Sequence, residues 1–194
     1  MSGQLSTPGA TAGANPPHES TRRRLTDRQA DTVRRLTEAA VAEVRETGYE
    51  GLTVRNVARR AGVAPATAYT YFASKNHLLT EVFWRRLDGL PPSTGDVAEV
   101  LRDIALLVAG EPELAAACTT AMLASDPDVQ ELRLRVGGTI HNRLKQALGR
   151  NDPVILDALE MAYSGALLQA GMGYTSYAEV ADRLHKVAGL IAPS

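Results

Sequence analysis

The most restrictive feature of this sequence is a pair of helix breaks on either side of one short segment. Thr53 is a good N-cap residue before a helical apolar pattern, and Gly62 interrupts that pattern. Pro65 then occupies the first position of a new helix, where its missing N–H costs no hydrogen bond. This helix extends no further than about Phe72, because Ala73–Ser74 begins the next one. Two short helices joined by a tight glycine turn predict a helix-turn-helix.

A longer helix precedes these two and completes a small three-helix module. Thr26 and Gln29 fit a capping box, and apolar residues then recur at helical spacing as far as Val44. Gly48 has the position of a glycine that ends a helix. Residues 25–75 are therefore predicted to form a separate helical domain.

Charge is divided unevenly along the 194 residues. Residues 1–80 contain 11 Lys or Arg and 7 Asp or Glu, whereas residues 81–194 contain 10 and 15. A basic first part indicates a polyanionic partner.

Residues 1–24, rich in Gly, Pro, Ser and Thr, are predicted to be a disordered tail. Its basic end, Arg22–Arg24, either reaches a DNA groove or is simply solvated.

The second short helix carries the kinds of side chain that DNA recognition requires. Val63, Ala68 and Phe72 fall on its inner side and leave small residues, hydroxyls and aromatic rings around the outer faces. Small residues allow close approach to a groove, hydroxyls reach phosphates or base edges, and aromatic edges contact thymine methyls. Lys75 and Arg55 can each pair with a phosphate. The alternative is a surface helix whose tyrosines merely pack on neighbouring residues.

The segment Gly51–Val82, GLTVRNVARRAGVAPATAYTYFASKNHLLTEV, resembles the TetR family of bacterial transcriptional regulators. The matching elements include Leu52–Arg55, Ala61–Val63 and Ser74–Lys75. Ala64 departs from the family pattern, in which Ser or Thr is frequent, so a side-chain cap and one hydroxyl contact are absent. The resemblance implies that these residues face the operator: Thr53, Arg55, Ala64, Pro65, Ala66, Thr67, Tyr69, Thr70, Tyr71 and Lys75.

Residues 76–194 are predicted to form a larger domain that is helical throughout. Its first helix covers about Asn76–Asp88 and its last Tyr177–Ile191, and no stretch shows the alternation of a strand. We therefore expect an all-α protein of about nine helices. Glycine or proline marks the intervening helix ends, at Gly110, Pro112, Pro127, Gly149 and Pro153.

The uncharged stretch Met161–Ala178 is long enough to cross a membrane, but its glycines and polar side chains argue against a span. A helix that is apolar nearly all round is instead expected to be buried on several sides. The TetR resemblance implies that the last two helices of each subunit pair in a homodimer, whereas an intrachain core is the alternative. The small residues expected at this interface are Gly165, Ala166, Ala170, Gly171 and Gly173.

The resemblance also implies a small-molecule pocket in the larger domain. Few charges look buried there, which favours an apolar or weakly polar ligand such as an acyl, steroid-like or aromatic compound. The candidate lining residues, which plain core packing would also explain, are Phe83, Trp84, Leu107, Cys118, Met122, Ile140, His141, Tyr163 and Gln169.

No sequence pattern predicts an enzyme, a cofactor or a metal site. Paired carboxylates, a nucleophile elbow, a P-loop and metal-spaced Cys/His clusters are missing, and Gly171–Gly173 lacks the strand that a dinucleotide fold requires. A single cysteine and the lack of an apolar leader favour a cytoplasmic protein. We therefore expect a dimeric repressor that binds a near-palindromic operator and is released by a small apolar ligand. A ligand-independent architectural DNA-binding protein or, failing that, a helical small-molecule enzyme is the alternative.

Overall fold

The computed structural model of the protein describes residues 27–92 and 95–192, and within these ranges it contains nine α-helices and no strand. The predicted all-α fold is therefore confirmed. The predicted tail, with its three arginines, and the predicted cap at Thr26 lie outside the described residues. The helices are α1 (Asp27–Gly51), α2 (Val54–Arg60), α3 (Pro65–Tyr71), α4 (Lys75–Asp88), α5 (Val97–Leu106), α6 (Pro112–Met122), α7 (Pro127–Leu148), α8 (Pro153–Gly171) and α9 (Tyr177–Ile191).

The two short helices α2 and α3 begin and end where the sequence predicts. The hydroxyl of Thr53 accepts a hydrogen bond from the Asn56 N–H at 3.1 Å and so caps α2. Gly62 has a φ of 63°, which only glycine adopts freely, and it turns the chain into α3. Pro65 opens α3, and Ala64 before it provides no side-chain cap. This arrangement is a helix-turn-helix.

The end of α1 is more complex than a simple stop at Gly48. Gly48 has a φ of 66° and is not helical, but a further short turn continues from it to Gly51. This turn places Tyr49 against the start of α4, where its hydroxyl donates to the Asn76 side-chain oxygen at 2.6 Å. The glycine therefore redirects the chain rather than ending its helical path.

The helix α6 occupies a central position in the fold. It packs against both α1 and α4 on the side of the helix-turn-helix, and against α7 and α8 in the larger half of the chain. The helix α9 covers α5 and α8. Buried apolar side chains form one continuous cluster from α1 to α9, so the three-helix module is packed onto the rest of the protein.

The apolar helix α8 is buried on one side only within the single chain. Leu156, Leu159 and Tyr163 face the core, whereas Val154 and Met161 remain 76% and 69% exposed. The expectation of burial on several sides is therefore not met by the chain alone. Across the described residues, no helix combines the length and apolarity that a membrane crossing requires.

We expect substitutions of Gly62 and Gly138 by alanine to have opposite effects on stability. Gly62→Ala forces an alanine into a positive φ and places its Cβ 3.1 Å from the Arg35 guanidinium, so it should lower the free energy of unfolding by about 1–2 kcal/mol. Gly138 lies within α7 with no atom near its would-be Cβ, so Gly138→Ala should raise stability by up to about 1 kcal/mol. Urea unfolding followed by circular dichroism measures both, and equal effects would contradict this assignment.

Candidate nucleic-acid interface

The helix α3 presents one side to the core and the other to solvent. Ala68 and Phe72 are buried, and Tyr71 is half-buried against the same core. The opposite side carries the exposed residues Pro65, Ala66, Thr67, Tyr69 and Thr70, and Tyr69 is 51% exposed. The structure therefore brings most of the predicted reading residues onto one accessible surface, which we call the α3 surface.

The hydroxyls of the α3 surface differ in their availability. The Thr70 hydroxyl donates to the carbonyl of Thr67 at 2.6 Å, so its proton is already used within the helix. The Thr67 hydroxyl, by contrast, makes no hydrogen bond to any described residue and lies nearer the helix N-terminus. Thr67 is therefore the better candidate for a contact with a base edge.

Two ion pairs of Arg60, one of them with a buried carboxylate, hold α2 in place below this surface. The Nε of Arg60 lies 2.8 Å from the Oε2 of Glu43, which is buried on α1, and the same guanidinium also pairs with Glu46. Arg35 of α1 donates to the carbonyls of Ala61 and Gly62 in the turn. These contacts fix the turn between α2 and α3 relative to α1.

The cations predicted to reach phosphates have different surroundings. Arg55 on α2 is exposed and forms no ion pair with a described residue. Lys75 is half-buried, and its Nζ donates to the carbonyl of Tyr49 at 3.0 Å and lies 3.9 Å from the centre of the Tyr49 ring. An ammonium has three donors, so Lys75 can still meet a phosphate while it holds Tyr49. Thr53 uses its hydroxyl as the cap of α2 and is exposed.

The nine residues predicted to line a ligand pocket separate into interior and surface groups. Two are at the surface: Gln169 is exposed, and the Nδ1 of His141 lies 2.7 Å from Glu160 with its side chain 43% exposed. Each directly adjoins an inward-facing residue, Ile140 or Ala170, and one helical step turns it outward. The others belong to the core or pack against it: Phe83, Trp84, Leu107, Cys118, Met122, Ile140 and Tyr163.

Two fully buried hydroxyls in the described part of the chain lack a hydrogen-bond partner. They belong to Thr80 on α4 and Tyr163 on α8. Burial raises the pKa of Tyr163, and the nearby Tyr177 raises it further, so the phenol stays protonated. The Tyr177 hydroxyl shares a 2.7 Å hydrogen bond with Thr119 and does not satisfy Tyr163. An unpaired buried hydroxyl is unfavourable, and it is a donor that a bound molecule can satisfy.

The thiol of Cys118 lies in the same region but has no features of a reactive group. Burial raises the pKa of Cys118 to about 12, so the thiolate does not form at neutral pH. The sulfur lies 3.6 Å from the carbonyl of Leu79, to which it can donate. Cys118 therefore acts as a small apolar side chain that links α6 to α4.

An open cavity of about 210 Å³ lies at the far end of α4 and was not predicted from the sequence. Arg143 of α7 reaches this end and donates to the carbonyls of Leu90 at 2.6 Å and Pro91 at 2.9 Å. Its guanidinium thereby satisfies carbonyl groups that follow α4. None of the predicted pocket residues lines this cavity. Its lining is Leu90, Pro91, Pro92, Gly95, Glu99, Val100, Asp103, Ile104 and Arg143.

The five small residues predicted for a dimer interface point in different directions. A Cβ at Gly165 would meet nothing, and Gly165 is exposed beside half-buried Ala166. A Cβ at Gly171, however, would lie 2.5 Å from the Thr119 methyl group, so Gly171 serves the packing of α8 on α6. Ala170 is buried within the chain, and Gly173 is exposed in the turn after α8 with a φ of 79°.

Exposed apolar residues occur on α8, at its C-cap and on α9, and we call this set the α8 stripe. Met161 and Leu168 lie four residues before and three residues after Gly165, and so on the same face of α8. Gln169, although polar, lies beside the α8 stripe. The members of the α8 stripe are Val154, Met161, Leu168, Met172, Val187 and Leu190.

Among the described residues, no group of His, Cys, Asp or Glu could hold a metal ion.

Known proteins similar to this chain are regulators of transcription. The family model of bacterial regulatory proteins of the tetR family matches residues 36–82, which include α2 and α3. An HTH-type transcriptional regulator of Mycobacterium tuberculosis is 51% identical over 174 residues, which are 84% of this chain and 82% of that protein. The HTH-type transcriptional repressor KstR of Rhodococcus jostii is 28% identical over 134 residues, 64% of this chain and 63% of that protein.

A solved structure of similar fold is the transcriptional regulator FadR from Bacillus subtilis in complex with stearoyl-CoA. It covers 82% of this chain and 97% of its own, with a TM-score of 0.60 and 18% sequence identity. The likeness supports the helical architecture described above.

The α3 surface should distinguish sequence recognition from general DNA affinity. Thr67→Ala and Tyr69→Ala should weaken binding to the preferred DNA site by roughly 1–3 kcal/mol if a base contact is lost, and should weaken binding to random DNA much less. Fluorescence anisotropy with a site obtained by binding-site selection measures both affinities. Thr120→Ala, an exposed threonine on α6, is the matched control. Equal losses on both DNAs would place the reading surface elsewhere.

Lys75→Ala should weaken binding to every DNA sequence. Loss of one phosphate contact should reduce the slope of log affinity against log salt concentration by about 0.9. Because Lys75 also holds Tyr49, Lys75→Arg serves as a charge-preserving control. A salt slope that stays unchanged in Lys75→Ala would show that its ammonium contacts only Tyr49.

Proposed function

Because this chain belongs to the TetR family of bacterial regulatory proteins, we propose that it is a homodimeric repressor released from its operator by a small apolar ligand. The observation that carries the DNA-binding part is the α3 surface. It combines small residues, an available Thr67 hydroxyl and exposed Tyr69 on a helix anchored by buried Ala68 and Phe72. Arg55, which has no ion-pair partner among the described residues, supplies a cation beside it.

The α8 stripe supports the dimer. A single short helix contacts too few base pairs for useful specificity, and two such helices in one dimer double the site. The stripe leaves large apolar side chains in water, which is a common sign of a protein interface. In the dimer, we place the two α3 helices in successive major grooves, roughly 34–36 Å apart, so the operator is a near-palindrome.

Repression follows from the position of such a dimer on DNA. A protein that covers two successive grooves excludes polymerase from an overlapping promoter and needs no further contact surface. The related protein KstR is named as a repressor. Ligand binding then has to favour a state in which the two α3 helices no longer fit their grooves. By the same linkage, DNA binding lowers the affinity for the ligand by the factor by which the ligand lowers the affinity for DNA.

The ligand is proposed to be apolar with one uncharged hydrogen-bond acceptor. The lining candidates are Phe83, Trp84, Met122 and Ile140, and the unpartnered hydroxyls of Tyr163 and Thr80 are donors. A carbonyl satisfies a hydroxyl without placing a charge in the core, whereas a buried carboxylate has no cation among these residues. The solved complex of FadR contains stearoyl-CoA. Its apolar acyl chain and thioester carbonyl have the required chemistry, and its charged CoA part has to stay outside the core, so this compound is a suitable first probe.

The dimer proposal predicts that Gly165→Leu weakens dimerisation and operator binding together. A Cβ at this position has no atom of another part of the chain within 4 Å, and Gly165 is exposed, so the protomer should fold normally while the partner is pushed away. Sedimentation velocity at micromolar concentration measures the dimer. Gly138→Leu, at another glycine with open space around it, is the control. A wild-type monomer that binds its operator tightly would contradict the proposal.

The ligand proposal predicts that Tyr163→Phe weakens binding of stearoyl-CoA by about 0.5–1.5 kcal/mol, the net value of one hydrogen bond. The same change removes an unsatisfied hydroxyl, so the ligand-free protein should be no less stable. Quenching of Trp84, the only tryptophan in the chain, reports binding, and anisotropy of a labelled operator reports release. Tyr174→Phe, at an exposed tyrosine, is the control.

Two outcomes would reject parts of this proposal. Binding of stearoyl-CoA without any change in operator affinity would mean that occupancy is not coupled to DNA binding. Selection that yields no preferred DNA sequence would favour the alternative of an architectural DNA-binding protein.

A further inference from the structure

We infer that α6 is a two-ended clamp that fixes the DNA-binding module to the larger domain, with Glu111 at one end and Asp126 at the other. The inference rests on the proposed function only in taking α1–α3 as the DNA-binding module. Neither acid was singled out by the sequence pattern. Glu111 directly precedes α6, whereas Asp126 follows the end of α6 by four residues and directly precedes α7. Both bind side chains of α1, α4 or Ser74 instead of capping the helix that each one precedes.

Glu111 holds the first end of the clamp. It occupies the N-cap position of α6 but makes no side-chain cap there. Its Oε2 accepts hydrogen bonds from Arg45 of α1 at 2.6 and 3.0 Å, and its Oε1 lies 2.7 Å from the guanidinium of Arg86 on α4. Partial burial alone would raise the pKa of Glu111, but hydrogen bonds from the two arginines outweigh it and lower the pKa. The carboxylate therefore joins three helices while charged.

Asp126 holds the second end. It is the N-cap residue of α7, yet its side chain makes no cap hydrogen bond to that helix. Its Oδ2 instead accepts from the Ser74 hydroxyl at 2.9 Å and from the Asn76 amide at 3.2 Å. Asn76 in turn accepts from the Tyr49 hydroxyl of α1. Asp126 is therefore connected to the first turn of α4, which carries Lys75, and through it to the end of α1.

A second aspartate in the chain shows that this arrangement is not dictated by local sequence. Asp126 and Asp152 both directly precede a proline that begins a helix. Asp152 caps its own helix by accepting from the Ile155 N–H at 3.2 Å, as such residues usually do. Asp126 makes no such cap for α7 and instead binds Asn76 of α4. The difference favours a function for Asp126 between structural elements.

The clamp also lies next to the proposed ligand site. Thr119, midway along α6, shares a hydrogen bond with Tyr177, which adjoins the unpartnered Tyr163. The contacts of Glu111 and Asp126 with α4 therefore lie on either side of a helix that also contacts Tyr177.

Hydrogen exchange of the full-length protein, without DNA or ligand, tests the clamp directly. In Asp126→Ala, amides of α3 and the first turn of α4 should exchange about tenfold faster, as expected when a hydrogen bond to a charged acceptor is lost. Asp152→Ala should leave these amides unchanged and affect the start of α8 instead. Equal exchange of α3 and α4 in the two variants would overturn the inference.

Operator affinity provides a second readout, because the clamp predicts weaker binding to the operator whereas simple electrostatics predicts stronger binding. Removal of an acidic charge should by itself strengthen binding to DNA. The clamp predicts instead that Glu111→Gln and Asp126→Ala each weaken binding to the selected operator by about tenfold, since the module loses its fixed orientation. Asp152→Ala removes the same charge and should not weaken binding. Stronger binding in both clamp variants would overturn the inference.

These measurements separate the clamp from the proposed function. A monomeric protein, or one that ignores stearoyl-CoA, would contradict the proposed function, while the exchange result would still decide the clamp. If Asp126→Ala does not fold, Glu111→Gln, which keeps the size of the side chain, tests the other end. Unchanged exchange in α1 and unchanged operator affinity in Glu111→Gln would then reject the clamp.

Discussion

The surface proposed to read DNA is a helix of only seven residues, and a helix this short is not stable by itself in water. Its conformation depends on its neighbours. Pro65 presets its first turn, while Ala68 and Phe72 bury its inner side. The ion pair between Arg60 and the buried carboxylate of Glu43 then fixes the preceding helix on α1. The positions of Thr67 and Tyr69 therefore depend on how well α3 and α2 are packed against α1.

Local signals made the helix boundaries predictable. Glycine at positive φ, proline at the first helical position and side-chain caps act within a few residues, and so Gly62, Pro65 and Thr53 could be interpreted from sequence alone. The side of a helix that each residue faces was harder to predict. Ile140 and His141 are neighbours on α7, yet only Ile140 faces the core.

Contacts between distant helices could not be predicted from a single sequence. Asp126 and Asp152 have the same local pattern, and only the position of α4 decides that Asp126 binds Ser74. In the same way, Gly165 and Gly171 both suggest close packing in the sequence. Gly171 meets Thr119 of its own chain, whereas Gly165 is open. Tertiary arrangement, rather than residue type, separates the members of each pair.

The helix α4 contains two polar residues, Thr80 and Glu81, in its buried part. Thr80 has no partner, and Glu81 is buried beside Arg85, with burial raising the pKa of Glu81 despite that arginine. Leucine residues at these positions would pack without the desolvation cost, since a buried ion pair often contributes less than an apolar replacement. The helix is therefore not optimised for stability alone. Under the proposed function, these polar groups would lower the cost of a small change in the packing of α4, because they contribute less to stability than apolar side chains would.

The size of the α8 stripe determines how much of its surface two copies of the chain would have to bury to form a stable dimer. Complete burial of a large apolar side chain contributes about 1.5–3 kcal/mol. The four most exposed members per chain are Val154, Met161, Met172 and Leu190, and because each is already partly covered, two chains together would gain roughly 8–17 kcal/mol. Association itself costs about 4–15 kcal/mol. The two quantities are similar, so the proposed dimer requires nearly complete burial of these side chains, and the open space at Gly165 would allow two α8 helices to come close enough.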